Sequence, residues 1–414
     1  GYGAPNLYDV KLEFETAGAV SDCREFKSGV REMGFDEENG ILSLYINGRR
    51  FIGRGGNWGF PESNLRYRNR EYDTAVAYHA DMNFTMIRDW VGQTGDDEFY
   101  EACDRHGIMV WQDFWLANPF DGPEPDDEAM FMDNAMDMVK RIRNHPSIAV
   151  YCGRNEGNPP ESLDAALRKL IDSVHPGLHY ISHSSRGVVS GEGPYRALPV
   201  RTYYSSKGLD KFHSERGMPN VMTYESLKQT LPDSSLWPQN RLWGVHDYCL
   251  EGAQGAASFN QIIEKAFGKV SDAKEFTELA RWINYEGYRG MFEARSQYRK
   301  GLLLWMSHPA WPSMVWQTYD YYFEPTAAYF GCKKACEPIH IQWNPVSDDV
   351  EVVNSYGKDR IGLTAKAEIF NMDGAAEWES EMEIDSREDS TVGCFKLEFP
   401  DNLSEVHFIK LALT

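Results

Sequence analysis

Apolar segments of six to eight residues alternate with amphipathic helical segments through the middle of this 414-residue chain. This alternation predicts parallel strands joined by helices, since neighbouring parallel strands need a crossover connection. The strand candidates are "FIGRGGNW", "NFTMIRDW", "IMVWQDFW", "SIAVYCG", "HYISHS", "VRTYYSS", "KFHSERG" and "PSMVWQ". Eight such units spread over some 300 residues predict an α/β fold, a (β/α)8 TIM barrel, whose usual size is ~250 residues.

The two ends of the chain have a different pattern. "NLYDVKLEFETA" near the start alternates apolar and polar residues, and "ILSLYINGRRFIGR" predicts a hairpin that turns at Asn47-Gly48. After Pro338 the helical patterns stop and six short alternating segments follow. We therefore predict that 1–38 is the end of an immunoglobulin-like β-sandwich, that 39–336 is the barrel, and that 337–414 is a second immunoglobulin-like β-sandwich.

Charge and hydropathy narrow the range of partners. The net charge of −21 argues against nucleic acid and anionic membranes, which bind through clustered Lys and Arg. The sequence has neither a run of 18 apolar residues nor a signal peptide, so we expect no membrane insertion. The chain is rich in aromatic residues, with 12 Trp and 22 Tyr. Aromatic rings fill hydrophobic cores, and they also stack on sugars in binding clefts.

Cysteine and histidine spacing indicates neither a disulfide framework nor a metal site. The seven cysteines are scattered, although a pair between Cys332 and Cys336 stays open. His175, His179 and His183 are spaced by four, but Pro176-Gly177 would break a helix that aligned them. We expect no metal and no cofactor.

Two glutamates come at the ends of predicted strands. Glu156 ends "SIAVYCGRNE" and Glu215 ends "KFHSE", and a glycine follows each closely. Side chains at the carboxyl ends of barrel strands meet in one pocket, and paired carboxylates are what glycoside hydrolysis requires. The alternative interpretation is that each carboxylate caps a helix or forms a salt bridge at the rim.

Further candidates for substrate binding follow from their positions at strand ends. Arg88 could hold Glu215 ionised, or could form a structural ion pair. Trp90 and Trp316 could stack on a sugar or belong to the core, and Tyr204, or its neighbour Tyr203, could hydrogen-bond Glu215. The complete set of predicted substrate-binding residues is Asn155, Trp58, Arg88, Trp90, Asp113, Trp115, Tyr204 and Trp316.

Several blocks together resemble glycoside hydrolase family 2, in the branch of exo-β-glucosaminidases, β-mannosidases and endo-β-mannosidase-like enzymes. The blocks are "INGRRFIGRGGNW", "HADMNFTMIRDW", "FYEACDRHGIMVWQDFW", "RNHPSIAVYCGRNE", "FHSERGMP", "VWQTYDYY" and "YFGCKKACEPIHIQWN". The resemblance implies that the barrel is catalytic, that Glu156 is the acid/base and that Glu215 is the nucleophile. It also implies that the family's N-terminal sugar-binding domain is missing, and by analogy a periplasmic or extracellular location.

Three positions depart from the family pattern or bear on the sugar. Tyr151 stands where the family usually has Trp, and Arg216 follows the nucleophile where an apolar or aromatic residue is expected. Asn155-Glu156 is retained, whereas glucosaminidases of this branch tend to carry Ser-Asp, which argues against an amino sugar.

The sequence thus predicts a retaining β-glycosidase that acts on terminal β-galactosides or β-mannosides of oligosaccharides or related glycosides. Exo-β-glucosaminidase and endo-β-mannosidase activity stay open as alternatives, as does the oligomeric state. From other functional classes, a non-catalytic carbohydrate-binding protein and a structural scaffold are the rivals.

Overall fold

The centre of the molecule is an eight-stranded parallel sheet. The computed structural model describes residues 3–67, 70–248, 256–314 and 316–414. Hydrogen bonds order the strands β10-β9-β8-β7-β6-β13-β12-β11. Consecutive strands are neighbours from β6 to β10 and from β11 to β13, and β6 pairs with β13, whereas β10 and β11 stand at opposite ends of this order. The strands are β6 (Arg54–Trp58), β7 (Met86–Asp89), β8 (Met109–Asp113), β9 (Ile148–Arg154), β10 (His179–His183), β11 (Val189–Ser190), β12 (Phe212–Arg216) and β13 (Leu302–Leu304).

Helices connect most of these strands. Within the described ranges a helix is missing only between β10 and β11, where residues 184–188 form a short link. Four helices separate β12 from β13, and the last helix follows β13. The helices are α1 (Arg70–Asp81), α2 (Asp97–His106), α3 (Glu128–Ile142), α4 (Glu161–Val174), α5 (Val200–Tyr204), α6 (Tyr224–Thr230), α7 (Arg241–Val245), α8 (Ala256–Phe267), α9 (Ala273–Ser296) and α10 (Ala327–Ala335).

The strands bury side chains on both faces. One set of apolar side chains clusters with the helices, and includes Ile87 and Val110. Their neighbours Met86 and Trp111 point the other way, into a second apolar cluster that also contains Phe212 and Leu303. This alternation follows from the two-residue period of a strand. Polar side chains that continue the second face towards the carboxyl ends of the strands, such as Arg88 after Met86 in β7, are therefore directed to one common site.

Two predicted strands are wrong. "VRTYYSS" forms α5, which begins after Pro199, and Tyr203 and Tyr204 are buried in the apolar layer between sheet and helices. Packing thus overrides the strand propensity of these residues. "PSMVWQ" includes Val315, which lies outside the described residues, and Trp316 has φ +67°, which a strand does not allow. The sixth and eighth strands are instead β11 and β13, of two and three residues.

Antiparallel sheets precede the central sheet. β1 (Tyr8–Thr16) and β2 (Ala19–Ser28) form a largely exposed hairpin, and β3 (Met33–Asp36), β4 (Ser43–Ile46) and β5 (Arg49–Phe51) form a three-stranded sheet. The hairpin turn at Asn47-Gly48 is confirmed, with φ of +52° and +75°. The three-stranded sheet takes strands from both sides of the boundary predicted at residue 38. Its Leu44 and Phe51 join the inner cluster of the central sheet.

After the central sheet come two three-stranded antiparallel sheets, ordered β14-β15-β18 and β17-β16-β19. They share one apolar core around Val350, Val352 and Ala367. His340 on β14 joins this unit to α9, because its Nε2 lies 2.9 Å from Glu293 Oε1. The strands are β14 (Ile339–Trp343), β15 (Asp349–Asn354), β16 (Arg360–Asn371), β17 (Ala376–Ser386), β18 (Ser390–Lys396) and β19 (His407–Leu413). None of the helices within the described ranges is long and apolar enough to span a membrane.

Candidate active site

The two predicted carboxylates come together at the carboxyl ends of β9 and β12, where Glu156 follows β9 and Glu215 is the last residue but one of β12. The hydroxyl of Tyr195 joins them, since it lies 2.7 Å from Oε2 of Glu215 and 3.3 Å from Oε1 of Glu156. These two carboxylate oxygens are therefore within about 6 Å of each other. Residues 59 positions apart along the chain thus share one site, which the helix-cap interpretation of each glutamate does not explain.

Arg88 holds the carboxylate of Glu215 in place through a buried ion pair. Its Nη1 donates to Glu215 Oε1 at 2.6 Å, and its Nη2 donates to Asp113 Oδ2 at 2.6 Å. Nε also donates to Asp113, while Asn57 and Asn155 accept the remaining two N–H groups. All five guanidinium hydrogens are thereby used, which fixes the orientation of the group.

Burial governs the protonation of Glu215. The side chain is almost fully buried, and loss of solvation raises the pKa of Glu215 to about 7. The Arg88 charge opposes this rise, the charge of Glu156 adds to it, and the Tyr195 hydrogen bond opposes it. Arg88 and Tyr195 both donate hydrogen bonds to the Glu215 carboxylate, and these contacts favour its ionised form.

Glu156 sits on an unusual piece of backbone. Its φ of +47° lies in the left-handed region, where residues other than glycine are uncommon. The Glu156 N–H donates to Oγ of Ser184, which helps to hold this conformation. Gly153 and Gly157 admit close neighbours on either side, because a Cβ at these positions would clash with the Tyr180 hydroxyl and the Pro119 ring respectively. The glycines around the acid therefore allow tight packing at this strand end.

The surroundings of the Glu156 carboxyl group favour its protonated form. Burial raises the pKa of Glu156, and the nearby charge of Glu192 raises it further. Oε2 of Glu156 makes a long contact, 3.5 Å from Asn118 Nδ2. Glu192 itself accepts a hydrogen bond from the Ser185 hydroxyl at 2.8 Å. Glu156 thus lacks the strong donors that surround Glu215.

Three tryptophans form an aromatic wall beside the carboxylates. Trp305 packs edge-on against Trp90 at 4.9 Å and against Trp316 at 5.9 Å between ring centroids. Tyr195 contacts Trp316 with centroids 5.3 Å apart. The indole N–H groups of Trp90 and Trp316 have no hydrogen-bond partner among the described residues. The structure therefore places Trp90 and Trp316 near the carboxylate pair, and their stacking on a sugar stays a prediction.

Trp58 and Tyr204 are not at the site. Trp58 is fully buried between the sheet and the helices, where it stacks on His308 at 4.0 Å. The side chain of its neighbour Asn57 points to the opposite face of the sheet, towards Arg88, because successive side chains of a strand point to opposite faces. The Tyr204 hydroxyl donates to Glu293 on α9, away from Glu215. The hydroxyl that contacts the predicted nucleophile belongs to Tyr195.

Of the remaining candidates, Asp113 and Asn155 are buried and hold Arg88, whereas Trp115 is partly exposed at the edge of the site. Asp113 is fully buried and accepts from Arg88 and from Nε1 of Trp111, so it positions Arg88 instead of facing a ligand. Asn155 accepts from Arg88 and makes only a long bond, 3.4 Å, through Nδ2 to Asn118. Trp115 is partly exposed, and its indole N–H donates to the carbonyl of Gly92. Its contact with a sugar stays a prediction.

Tyr195, Trp305 and Glu192 were missed by the sequence reasoning. Tyr195 and Glu192 follow the very short β11, and the segment "GEGPY" carries no strand or helix pattern. It lies beside Glu215 because Gly193 N–H donates to the Glu215 carbonyl and Tyr195 bridges to Gly217. Trp305 directly follows β13, so recognising "GLLLW" as a strand would have placed it at the same rim.

Comparison with known proteins shows relatives that are glycosidases. The chain is 28% identical to a mannosylglycoprotein endo-β-mannosidase of Lilium longiflorum over all of this chain and 50% of that protein. It is 26% identical to an exo-β-D-glucosaminidase of Streptomyces avermitilis over 92% of this chain and 45% of that protein. No family model matches the chain. The chain spans about half the length of these curated relatives.

Solved structures show the same fold. The exo-chitosanase of Amycolatopsis orientalis superposes with a TM-score of 0.90 at 24% identity, covering all of this chain and 53% of that one. The β-D-mannosidase of Dictyoglomus thermophilum superposes with a TM-score of 0.86 at 24% identity, covering 99% of this chain and 55% of that one. The resemblance drawn from the sequence is thereby confirmed, and the chain is a homologue of the exo-β-glucosaminidases and β-mannosidases that matches about half of their length.

Proposed function

We propose that the chain carries the catalytic centre of a retaining β-glycosidase, with Glu215 as nucleophile and Glu156 as acid/base. The observation that carries this proposal is the spacing of the two carboxylates, whose nearest oxygens are within about 6 Å. Retaining enzymes place their carboxyl groups ~5–5.5 Å apart, and inverting enzymes ~6.5–9.5 Å apart to admit a water molecule. The pair is thus suited to double displacement.

The first step is attack by Glu215 on the anomeric carbon. The carbon–oxygen bond to the leaving group breaks while Glu156 gives its proton to the departing glycosidic oxygen. The product is a glycosyl ester of Glu215. Arg88 stays within hydrogen-bond distance of the Glu215 carboxylate and keeps the attacking oxygen oriented.

Hydrogen bonding around Tyr195 supports this division of roles. Its hydroxyl has one hydrogen, which the shorter 2.7 Å contact assigns to Glu215. A protonated Glu156 can then supply the hydrogen for the 3.3 Å contact between its Oε1 and the Tyr195 hydroxyl oxygen. A protonated Glu156, a Tyr195 hydroxyl and an ionised Glu215 therefore form one chain of hydrogen bonds. In the second step the ionised Glu156 removes a proton from water, which attacks the anomeric carbon and releases Glu215.

The relatives and the retained Asn155-Glu156 together favour a β-mannoside as substrate. Neither of the reported relatives is named for β-galactosides, so the galactoside predicted from the sequence becomes the second choice, and an exo-β-glucosaminidase activity is the alternative. We also infer that the eight-stranded sheet is a closed (β/α)8 barrel and that the flanking antiparallel sheets are immunoglobulin-like. A periplasmic or extracellular location remains part of the proposal.

The proposal is tested by trapping the intermediate. A panel of nitrophenyl β-glycosides, comprising mannoside, galactoside, glucoside, glucuronide and glucosaminide, first identifies the sugar that is hydrolysed. The matching 2-deoxy-2-fluoro glycosyl inhibitor should then inactivate the protein, and peptide mass spectrometry should find the sugar on Glu215. Sugar binding without hydrolysis or labelling would favour a carbohydrate-binding protein instead.

Removing the charge of Glu192 should change the pH dependence of the reaction. Since the negative charge of Glu192 raises the pKa of Glu156, Glu192→Gln should lower that pKa. Glu156 then loses its proton at lower pH, and the alkaline limb of kcat/KM moves to lower pH. Glu192→Asp, which keeps the charge, is the control. An alkaline limb that stays in place in Glu192→Gln would show that Glu156 is not the acid.

A further inference from the structure

Two buried arginines lie on the helix side of β12 without a carboxylate partner. Arg216 is the last residue of β12 and is 3% exposed, and Arg295 in the last turn of α9 is 2% exposed. Among the described residues, neither guanidinium group forms an ion pair with an Asp or Glu side chain. Arg216 directly follows Glu215 in the chain, yet the mechanism proposed above gives it no role. The charges of these two side chains are thus left without a counter-ion.

One loop, between α5 and β12, holds both guanidinium groups. Nη2 of Arg216 donates to the Ser206 hydroxyl at 3.2 Å, and Nη1 of Arg295 donates to the Gly208 carbonyl at 3.0 Å. Residues two positions apart have Cα atoms no more than ~7 Å apart, so the two groups are near one another. The charge of Arg216 also lowers the pKa of Arg295, as expected for neighbouring cations. The fold therefore brings two positive charges together inside the protein.

Most of the N–H groups in this pair have no acceptor within the described ranges. The Nε atoms of Arg216 and Arg295 are both buried without a hydrogen-bond partner. The guanidinium group of Arg216 donates only to Ser206, and that of Arg295 only to the carbonyls of Gly208 and Lys211. Because a guanidinium group has five N–H donors, the pair can still bind an acceptor of its own.

Burial makes an unpaired cation unfavourable, since neutral acceptors do not replace the lost solvation of a charge. Burial and the Arg216 charge lower the pKa of Arg295 to about 9, so Arg295 still carries its charge at neutral pH. The ring of Tyr203, with its centroid 5.0 Å from Cζ of Arg216, offers only a neutral π face. Asp210 raises the pKa of Arg295, but its side chain is exposed and forms no ion pair with it.

His213 lies close to the same pair but adds no charge to it. Its Nε2 is 2.8 Å from the Gly193 carbonyl oxygen and its Nδ1 is 2.8 Å from the Ser190 hydroxyl, so a neutral ring satisfies both contacts. Burial, Arg295 and Arg216 lower the pKa of His213 well below its usual value, which keeps the ring neutral at pH 7. The buried positive charge here thus comes from the two guanidinium groups.

We propose that Arg216 and Arg295 together bind one small inorganic anion, of the size and charge of chloride, between their guanidinium groups. Both groups are almost closed off from solvent, so the ligand must be small and must lose its water easily. A halide meets both conditions, whereas phosphate is larger and more strongly hydrated. With Asp210 nearby, one monovalent anion also balances the two positive charges. This Arg216–Arg295 site needs no saccharide, so it is independent of the glycosidase proposal.

The experiment follows thermal unfolding in sodium chloride and in sodium gluconate at the same ionic strength. An ion that binds only the folded state raises the Tm once its concentration exceeds its Kd. At ten times its Kd, chloride should raise the Tm by about 1–2 °C over gluconate, and the rise should saturate as for a single site. Bromide should act in the same way, and its anomalous X-ray scattering should place one ion between Arg216 and Arg295.

Variants assign the chloride response to the pair. Arg216→Gln and Arg295→Gln should each abolish the difference between the two salts, whatever their Tm in gluconate. Arg54→Gln is the matched control and should keep the full response, because Arg54 is also buried but lies outside the pair and donates to the Cys336 carbonyl and the Ser355 hydroxyl. Asp210→Asn should shift the response to lower chloride concentration, since it removes the competing negative charge.

Three outcomes would overturn the Arg216–Arg295 site. The first is a parent protein with the same Tm in both salts, and the second is a chloride response that survives in both Arg216→Gln and Arg295→Gln. The third is a bromide ion bound only elsewhere, a result that the parent protein gives without any variant. None of these outcomes affects the glycosidase proposal, and a failure to label Glu215 would leave the anion site standing.

Discussion

Glu215→Ala should abolish the hydrolysis of every substrate, whereas Glu156→Ala should spare substrates with good leaving groups. Loss of the nucleophile is expected to lower kcat by about 10⁴- to 10⁶-fold, the range seen when a covalent catalyst is removed. Loss of the acid should cost about 10²- to 10⁴-fold with a natural saccharide. Dinitrophenolate needs no proton in order to depart, so with this leaving group the first step in Glu156→Ala should remain fast.

Azide distinguishes the two roles by stereochemistry. In Glu156→Ala, azide replaces water in the second step and should give the β-glycosyl azide. In Glu215→Ala, azide attacks the substrate directly from the vacated face and should give the α-glycosyl azide. Steady-state kinetics and NMR of the azide products measure both outcomes. If the two variants lose equal activity on all substrates and give the same azide, the assignment of roles is wrong.

Arg88→Met should have the second largest effect, because it leaves Glu215 and Asp113 buried with no cation between them. Removing one partner of a buried ion pair costs about 3–5 kcal/mol of unfolding free energy. Without Arg88, whose charge lowers the pKa of Glu215, that pKa should rise, and the acid limb of kcat/KM should move to higher pH. Activity at neutral pH then falls because less Glu215 is ionised.

The stability loss in Arg88→Met should itself depend on pH. In the variant the folded-state pKa of Glu215 stays above its unfolded value of ~4, because burial raises it and the Arg88 charge no longer opposes the rise. The protonated form of Glu215 is tolerated in the core at low pH, so the variant should lose more stability at pH 8 than at pH 5. Urea unfolding at both pH values measures this loss of stability.

Arg295→Gln is the control, because Arg295 is also buried but donates to the carbonyls of Gly208 and Lys211. It should be destabilised with no shift of the acid limb, and an equal shift would contradict the role of Arg88.

The sequence was sufficient for the features that depend on local pattern. Glu156 and Glu215 could be found because each ends an apolar segment, and the carboxyl ends of parallel strands meet at one edge. Arg88 could be linked to Glu215 by the same reasoning. The C-terminal strands also follow from simple alternation, since six alternating segments are predicted after Pro338 and six strands, β14 to β19, form there.

The features that were missed depend on contacts between distant residues. β11 and β13 have two and three residues, too few to show any period, and they are strands only because their neighbours pair with them. Tyr195 reaches Glu215 through pairing of its loop, which no local pattern records. Trp58 could have been excluded from sequence, because Asn57 and Trp58 are adjacent and only one of them can point inward.

The left-handed backbone at Glu156 has a consequence for how this protein would respond to selection for stability alone. Glycine is the residue that adopts φ +47° without strain, and Glu156→Gly would also remove a half-buried acid from the pocket. The residue with the least backbone strain at this position is thus glycine, which cannot transfer a proton. A screen that selects for heat resistance without measuring turnover should therefore favour replacement of Glu156, and the selected proteins should be well folded but inactive.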